Sequence, residues 1–142
     1  FNISGIEDLR QGNFRFINRQ YKSGTRELLE QILADKHINT TDILGYENQE
    51  FTHSAVAAHI AADMADVGFG VEAAASRFDL GFAPIIEENY LWAYALESEK
   101  DNDIQAFIAT LLDREFQLKI NELPGYNCEY CGHITSSNWL FT

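Results

Sequence analysis

Apolar and polar residues alternate in blocks along this chain, and each block has the length of a strand or a helix. Residues 14–17 are a short run of β-forming side chains, which predicts a strand. The apolar residues within 28–33 recur at the spacing of one helical face, which predicts an amphipathic helix. Ser23 or Thr25, which precede that helix, are both residue types that cap helix N-termini.

The same pattern continues toward the C-terminus. Thr52 can cap a second helix, and Pro124-Gly125 can end the last one. Strands alternating with helices are typical of an α/β fold with a mostly parallel sheet. The remaining predicted strands are residues 43–46, 67–71, 82–86 and 90–96, and the remaining predicted helices are residues 72–78 and 103–123.

Length and composition limit the classes of protein to be considered. The 142 residues are enough for one domain with a real core, and a hydrophobic content of 46% excludes a disordered chain. No apolar run approaches the roughly twenty residues that a membrane helix needs, so we expect no membrane partner. The first residue is Phe1 rather than Met, which suggests a processed product or a fragment.

The net charge of −12 changes the expected partners. Nucleic acids are held by Lys and Arg, so we expect no direct nucleic-acid binding by this segment. An anionic ligand would have to be held by local geometry, because the overall field of the protein would repel it.

Such local geometry is predicted where the first strand meets the first helix. Ser23-Gly24-Thr25 would place free backbone N–H groups, two hydroxyls and the positive end of a helix dipole together, which is an anion site. Gly24 would allow close approach of a ligand. Arg19 and Arg26 flank the turn, and the planar guanidinium group suits anions with several oxygens. The alternative is that Ser23 or Thr25 only caps the helix.

Thr52 and His53 repeat this arrangement at the start of the second helix. In an open α/β sheet, ligands bind beyond the carboxyl ends of the strands, where the helices begin. The two helix starts are therefore expected to open on the same side of the sheet. His53 is predicted to donate to a bound oxyanion, or else to serve in capping or packing.

Three stretches together resemble a known family. They are "FINRQYKSGTRELL", "YENQEFTHSAVAAHIAADMADVGFGVEAAA" and "APIIEENYLWAY". The combination resembles the periplasmic-binding-protein-like domain of molybdate-type sensors, which is similar in fold to LysR-type effector-binding domains and type II solute-binding proteins. The resemblance extends from about residue 5 to residue 126. It implies a periplasmic-binding-protein-like domain over residues 1–126, which is the second lobe and the return segment of a two-lobed domain, followed by a tail over residues 127–142. The lobe is expected to have three α/β/α layers and a mostly parallel sheet with an antiparallel return strand.

The resemblance also implies which residues face the ligand cleft. The candidates are Arg19, Ser23, Gly24, Thr25, Arg26, Thr52, His53, Glu72 and Tyr90. Two departures from the family pattern are visible. Lys22 stands where the family often has glycine, and the β–α elements that begin a complete two-lobed domain do not precede the match.

By resemblance, the ligand would be a small oxyanion such as molybdate or tungstate, and no other cofactor is expected. Family members occur fused to helix-turn-helix DNA-binding domains or to molybdopterin-biosynthesis proteins. The chain is thus expected to be a sensor module of a transcriptional regulator. The first alternative is an accessory role in molybdopterin biosynthesis, and the second is a metal or redox module that uses the CxxC motif. We also expect no catalysis, a cytoplasmic location with the periplasm as the alternative, and a homodimer as one oligomeric option.

The motif "YNCEYCGH" carries Cys128, Cys131 and His133. A CxxC motif can be half of a zinc site or a redox pair. A closed zinc site needs four ligands, and this chain has no second CxxC, so two reduced cysteines are expected. A disulfide, or a zinc site shared between chains, is the alternative.

Overall fold

The computed structural model describes residues 3–11 and 14–134. It divides into two compact units, Phe1–Glu87 and Glu88–Thr142. The described part of the first unit holds a three-stranded parallel sheet with three α-helices, and that of the second holds two α-helices. The fold class is therefore α/β, as the alternation of elements predicts.

The sheet has the order β2-β1-β3, and β1 pairs in parallel with both neighbours. The described residues also form three short 3-10 helices, at Ile6–Gln11, Thr40–Asp42 and Leu96–Ser98. The strands are β1 (Phe16–Arg19), β2 (Gln49–Glu50) and β3 (Val67–Gly68), and the α-helices are α1 (Gly24–Asp35), α2 (His53–Ala61), α3 (Glu72–Arg77), α4 (Asn102–Leu112) and α5 (Arg114–Asn121).

Helices cover both faces of the sheet. Phe16 is buried in one hydrophobic cluster with Leu29 and Leu33 of α1. Its neighbour Ile17 is buried in a second cluster with Val56 of α2. Successive strand residues point to opposite faces, so α1 and α2 lie on opposite sides of β1. The first unit is thus a three-layer α/β/α arrangement.

Close packing around β3 requires glycine at position 68. A Cβ atom on Gly68 would lie 2.6 Å from Val56 Cγ1 and 2.9 Å from the carbonyl oxygen of Ile17. No larger residue would allow β3 to approach both β1 and α2 so closely.

An ion pair fixes the chain where it enters β3. The Arg15 guanidinium donates to Asp66 Oδ2 at 3.1 Å and to Asp66 Oδ1 at 2.8 Å, and the Arg15 backbone N–H donates to Asp66 Oδ2 at 2.7 Å. These hydrogen bonds lower the pKa of Asp66 to about 2. The bonds join the start of β1 to the residue that precedes β3.

The predicted strand over residues 43–46 is wrong. Ile43 and Tyr46 are both buried in the same hydrophobic cluster, whereas a strand would direct residues three apart to opposite faces. Gly45 has a φ of 85°, which lies in the left-handed region and is incompatible with a strand. The strand of this region that pairs with β1 is β2, which begins three residues after the end of the predicted strand.

The predicted strands over 82–86 and 90–96 are also wrong. No β-pairing is found in those two segments, which lie wholly in the described part of the chain, and the expected antiparallel return strand is absent there. The β-forming composition of these segments is not matched by burial, since Ile86 is 53% exposed and Trp92 73% exposed. Without a buried face, such residues have little reason to form a strand.

The predicted long helix over 103–123 is two helices. Asp113 adopts an extended conformation, with ψ of 130°, and its carboxylate accepts the Phe116 N–H at 2.9 Å. Aspartate is among the preferred N-cap residues, so its side chain starts α5 instead of continuing α4. The other predicted elements agree in type with the structure and differ in their bounds.

We predict that the α1 face of the sheet carries much of the stability of the first unit. Leu29 is fully buried at 0% exposure, so Leu29→Ala should lower the free energy of unfolding by about 2–5 kcal/mol. The matched control is Leu44→Ala, because Leu44 is 55% exposed, and it should change stability by no more than about 0.5 kcal/mol. Urea unfolding measures both, and equal losses would contradict the assignment of the core.

Candidate functional site

The carboxyl ends of the three strands meet at one edge of the sheet, because all three strands are parallel. The start of an α-helix follows each strand end within a few residues. Ser23 caps α1, with its Oγ accepting the Arg26 N–H at 3.2 Å. Thr52 caps α2, with its Oγ1 accepting the Ala55 N–H at 3.0 Å. Both caps agree with the sequence prediction.

The starts of α1 and α2 are in contact. Thr25 Oγ1 lies 3.5 Å from His53 Nε2. A Cβ atom on Gly70 would lie 3.2 Å from His53 Nδ1, so the loop between β3 and α3 packs on the other side of the imidazole. The expectation that the two helix starts open on the same side of the sheet is thus confirmed, and all three strand–helix loops meet at His53.

Arg19, the last residue of β1, brings a positive charge close to His53. Its Nη2 donates to the carbonyl oxygen of Phe51 at 3.2 Å. Its Nε and Nη1 are buried and have no hydrogen-bond partner among the described residues. Within that same part of the chain, no carboxylate lies at ion-pair distance from Arg19.

The surroundings of His53 disfavour its protonated form. Its Nδ1 is buried and unpaired among the described residues, like the two nitrogens of Arg19. Burial lowers the pKa of His53 below its usual value of 6.5, and the nearby positive charge of Arg19 lowers it further. The cluster therefore combines a half-buried cation with an imidazole that resists protonation and with the N-terminal ends of two helices.

Arg26, in contrast, is part of the supporting structure. It is 6% exposed, and its Nε donates to Glu30 Oε1 at 3.0 Å. Its guanidinium carbon also lies 5.0 Å from the centre of the Tyr46 ring. Because these neighbours already contact the guanidinium, we infer that Arg26 holds the first turn of α1 against the turn that contains Tyr46.

The other candidates occupy different surroundings. Gly24 faces open space, since a Cβ atom there would have no neighbour within 4 Å. Glu72 lines a cavity of about 470 Å³ together with Ser76, Asp79, Leu80 and Phe82. Tyr90 belongs to the second unit, where its ring stacks on Tyr126 with the ring centroids 6.4 Å apart. The ligand-binding roles of the nine candidates stay predictions.

The backbone at Lys22 adopts a conformation that favours glycine. Lys22 has a φ of 65°, in the left-handed region that glycine adopts without strain. Glycine, which the resemblance implies as the common residue at this position, would therefore suit the conformation of the turn.

Sequence analysis missed Gln49 and Gly70. Gln49 Oε1 accepts the Tyr21 N–H at 3.1 Å, which joins the end of β2 to the turn after β1. Its role could not be seen because the strand was expected at residues 43–46. Gly70 lies in the motif "VGFGV", and the repeated glycine was the available signal of a close backbone approach.

Comparison with known proteins identifies the family of this chain. A family model described as the PBP superfamily domain matches residues 1–112, and the chain belongs to this periplasmic-binding-protein-like family. The chain is also similar to two uncharacterized proteins. One is YvgK of Bacillus subtilis (strain 168), 29% identical over 133 residues. The other is a Clostridium pasteurianum protein described by its place in the 5' region of a 2Fe-2S ferredoxin gene, 29% identical over 115 residues.

The two relatives differ in length. The match covers 94% of this chain but 42% of the Bacillus protein, and 74% of this chain but 98% of the Clostridium protein. The chain thus spans about two fifths of the first relative. No solved structure matches this chain. None of the described helices has the length and apolar character needed to cross a membrane.

We predict that His53 makes the stability of the first unit depend on pH. Its pKa is lowered in the folded protein, so between that value and about 6.5 the unfolded chain binds a proton that the folded chain does not. The free energy of unfolding should therefore decrease as the pH is lowered below about 6.5. The share of this decrease that comes from His53 should be absent in His53→Gln. Urea unfolding between pH 5 and 7.5 measures it.

The matched control is His133→Gln, because His133 is exposed and belongs to the second unit. That variant should keep the slope of the original protein. Superimposable pH profiles for the original protein and His53→Gln would contradict the assigned pKa shift.

Proposed function

We propose that the first unit binds a small oxyanion at the N-terminal ends of α1 and α2, as the ligand-binding module of a sensor. One observation carries this proposal. The guanidinium of Arg19 has two buried nitrogens without a hydrogen-bond partner in the described chain. Membership of the periplasmic-binding-protein-like family, in which ligand binding is the expected task, supports it independently.

A buried charge without a partner is costly. Removing a cation from water costs several kcal/mol unless an opposite charge or good hydrogen bonds compensate it. The chain carries 22 acidic residues, and Arg15 and Arg26 are each paired with carboxylates. In so acidic a protein, a guanidinium with no carboxylate at ion-pair distance among the described residues is available to an external anion.

The helix starts supply the remaining donors. The first backbone N–H groups of an α-helix have no partner within the helix, and the helix dipole favours a negative charge there. Thr25 adds a hydroxyl, and the open space at Gly24 gives a ligand access to the backbone of α1. Arg19, which is half-buried, would act on this ligand through its charge. Direct contact with His53 Nδ1 would require the loop between β3 and α3 to move, because Gly70 lies beside that nitrogen.

The nature of the ligand follows from the donors and from the resemblance. Several N–H and O–H groups that converge on one point suit a tetrahedral oxyanion, and the family resemblance favours molybdate or tungstate. Sulfate and phosphate have the same shape and are the competitors to compare. In this proposal the domain has no catalytic role, and ligand binding shifts the population of conformations that an attached DNA-binding domain reads.

We predict that Arg19→Gln weakens oxyanion binding without unfolding the protein. Loss of this charge–charge attraction corresponds to about 1–3 kcal/mol at the effective dielectric constant near a protein surface, or roughly a ten- to hundredfold increase in Kd. Stability should be retained or increased, because the variant removes a half-buried charge that lacks an ionic partner among the described residues. NMR titration with molybdate, tungstate, sulfate and phosphate measures Kd and shows which residues respond.

Arg77→Gln is the matched control, since it makes the same change of charge at an exposed residue of α3. It should leave Kd within about twofold of the original value, as expected for a distant, screened charge. Equal Kd values for the original protein and Arg19→Gln, or no binding of any of the four anions, would contradict the proposed function.

A second prediction uses the open space at Gly24. An added methyl group meets no protein atom there, so Gly24→Ala should fold and should gain up to about 1 kcal/mol of stability from helix propensity. The methyl group would occupy the space through which the ligand approaches, so oxyanion binding should weaken by roughly tenfold or more. The same titration and urea unfolding measure the two effects.

Gly81→Ala is the control for that experiment, because a Cβ atom on Gly81 also has no neighbour within 4 Å. It should leave binding unchanged. If Gly24→Ala binds as tightly as Gly81→Ala, Gly24 only begins the helix and does not border the ligand.

A further inference from the structure

The CxxC motif forms a covalent bond that sequence analysis did not favour. Cys128 and Cys131 are joined by a disulfide, so the expectation of two reduced cysteines is wrong. The Cys131 N–H donates to the Cys128 carbonyl oxygen at 3.2 Å, which closes a turn of the backbone around the same two residues.

This turn is attached to the ends of both helices of the second unit. The Cys128 N–H donates at 2.9 Å to Oδ1 of Asn121, the last residue of α5. Gly132 has a φ of 77°, and a Cβ atom there would lie 2.6 Å from Cδ2 of Leu112, the last residue of α4. The backbone of the turn therefore packs directly on one helix end and is hydrogen-bonded to the other.

The disulfide has little capacity to stabilise the whole fold. A cross-link stabilises mainly by restricting the unfolded chain, and this effect grows with the number of residues between the cysteines. Here the two cysteines are three positions apart, so the ring is among the smallest. Its effect must be local, on the turn and on the two helix ends that the turn contacts.

We propose that Cys128 and Cys131 form a reversible thiol–disulfide pair, which fastens the turn to α4 and α5 when oxidised and releases it when reduced. The reacting partner is a low-molecular-weight thiol and its disulfide, of which glutathione is a suitable probe. All residues of this site belong to the second unit, whereas those of the oxyanion site belong to the first.

Reduction proceeds by two exchanges. The thiolate of one glutathione attacks Sγ of Cys131, which forms a mixed disulfide and releases Cys128 as a thiolate that takes up a proton. A second glutathione thiolate attacks the glutathione sulfur of the mixed disulfide, which forms oxidised glutathione and releases Cys131 as a thiolate that takes up a proton. Two electrons pass from two glutathione molecules to the protein disulfide. Oxidation runs through the same steps in reverse.

The unequal burial of the two cysteines selects the attacked sulfur. Cys128 is 8% exposed, whereas Cys131 is half-buried. A thiolate from solution therefore reaches Cys131 more easily, and Cys128 is the resolving group. The hydrogen bond from Cys128 to Asn121 holds the resolving cysteine beside the end of α5 while the mixed disulfide exists.

The test equilibrates the full chain in a series of reduced and oxidised glutathione mixtures and counts free thiols by alkylation and mass spectrometry. We expect two thiols to appear together, in one reversible two-electron transition within the series. Hydrogen exchange at the amides of Cys128 and Cys131 should be roughly tenfold faster in the reduced protein, because local opening becomes easier.

Two variants separate the steps. In Cys128→Ser, Cys131 should accumulate the mixed disulfide with glutathione, and in Cys131→Ser, Cys128 should react several-fold more slowly. In Asn121→Ala, the hydrogen bond to the turn is lost, so amide hydrogen exchange in the oxidised variant should be faster than in the oxidised original protein. Its two thiols should still appear together in the glutathione series.

Three results would overturn the proposal. The disulfide could resist every mixture unless the protein is unfolded, or the reduced pair could hold stoichiometric zinc, which would make it a metal site. Equal hydrogen exchange in the two redox states would show that the bond does not control the turn.

Discussion

The parallel pairing of β1 with both neighbouring strands is the constraint on which the rest of the first unit depends. Phe16 and Ile17 point from β1 into two separate hydrophobic clusters, so one strand anchors a helix layer on each face. Because β2 and β3 run parallel to it, all three strands deliver their helix starts to the same edge. Arg19 ends β1 at that edge, and the candidate site is a consequence of this geometry.

The electrostatics of the site differ from those of the rest of the protein. Arg15 and Arg26 lie beside carboxylates, as most cations would in a chain of net charge −12. Among the described residues the Arg19 guanidinium has only the carbonyl oxygen of Phe51 as a hydrogen-bond partner, and beside it the pKa of His53 is lowered. The candidate site is thus locally positive, although the net charge of the protein is negative. Local donors can hold an anion there although the overall field opposes its approach.

Much of the site could be predicted from the sequence because it depends on local rules. Ser23 and Thr52 are capping residues just before apolar helical periods, and both act as caps in the structure. The position of β2 could not be predicted, since Gln49 and Glu50 form a strand by backbone pairing alone and show no apolar alternation. Asp113 divides the last predicted helix for a similar reason, because a single capping carboxylate outweighs a continuous apolar pattern.

The different roles of Arg19 and Arg26 also lay beyond sequence reasoning. Both arginines flank the same turn, and nothing in their spacing shows which one is paired with a carboxylate. The choice depends on Glu30, one helical turn after Arg26, and on the packing of Tyr46 against its guanidinium. The disulfide at Cys128 and Cys131 is a parallel case, since the CxxC motif alone is compatible with a metal, a disulfide or free thiols.

Anomalous X-ray diffraction from crystals of this protein grown with tungstate tests the central claim most directly. Tungsten gives a strong signal at its absorption edge, so the position of the ion is found without assumptions about its ligands. The account predicts a peak at the N-terminal ends of α1 and α2, within hydrogen-bond distance of the Thr25 hydroxyl or the backbone N–H groups of the first turn. Tungstate bound only elsewhere on the protein, with that position vacant, would contradict it.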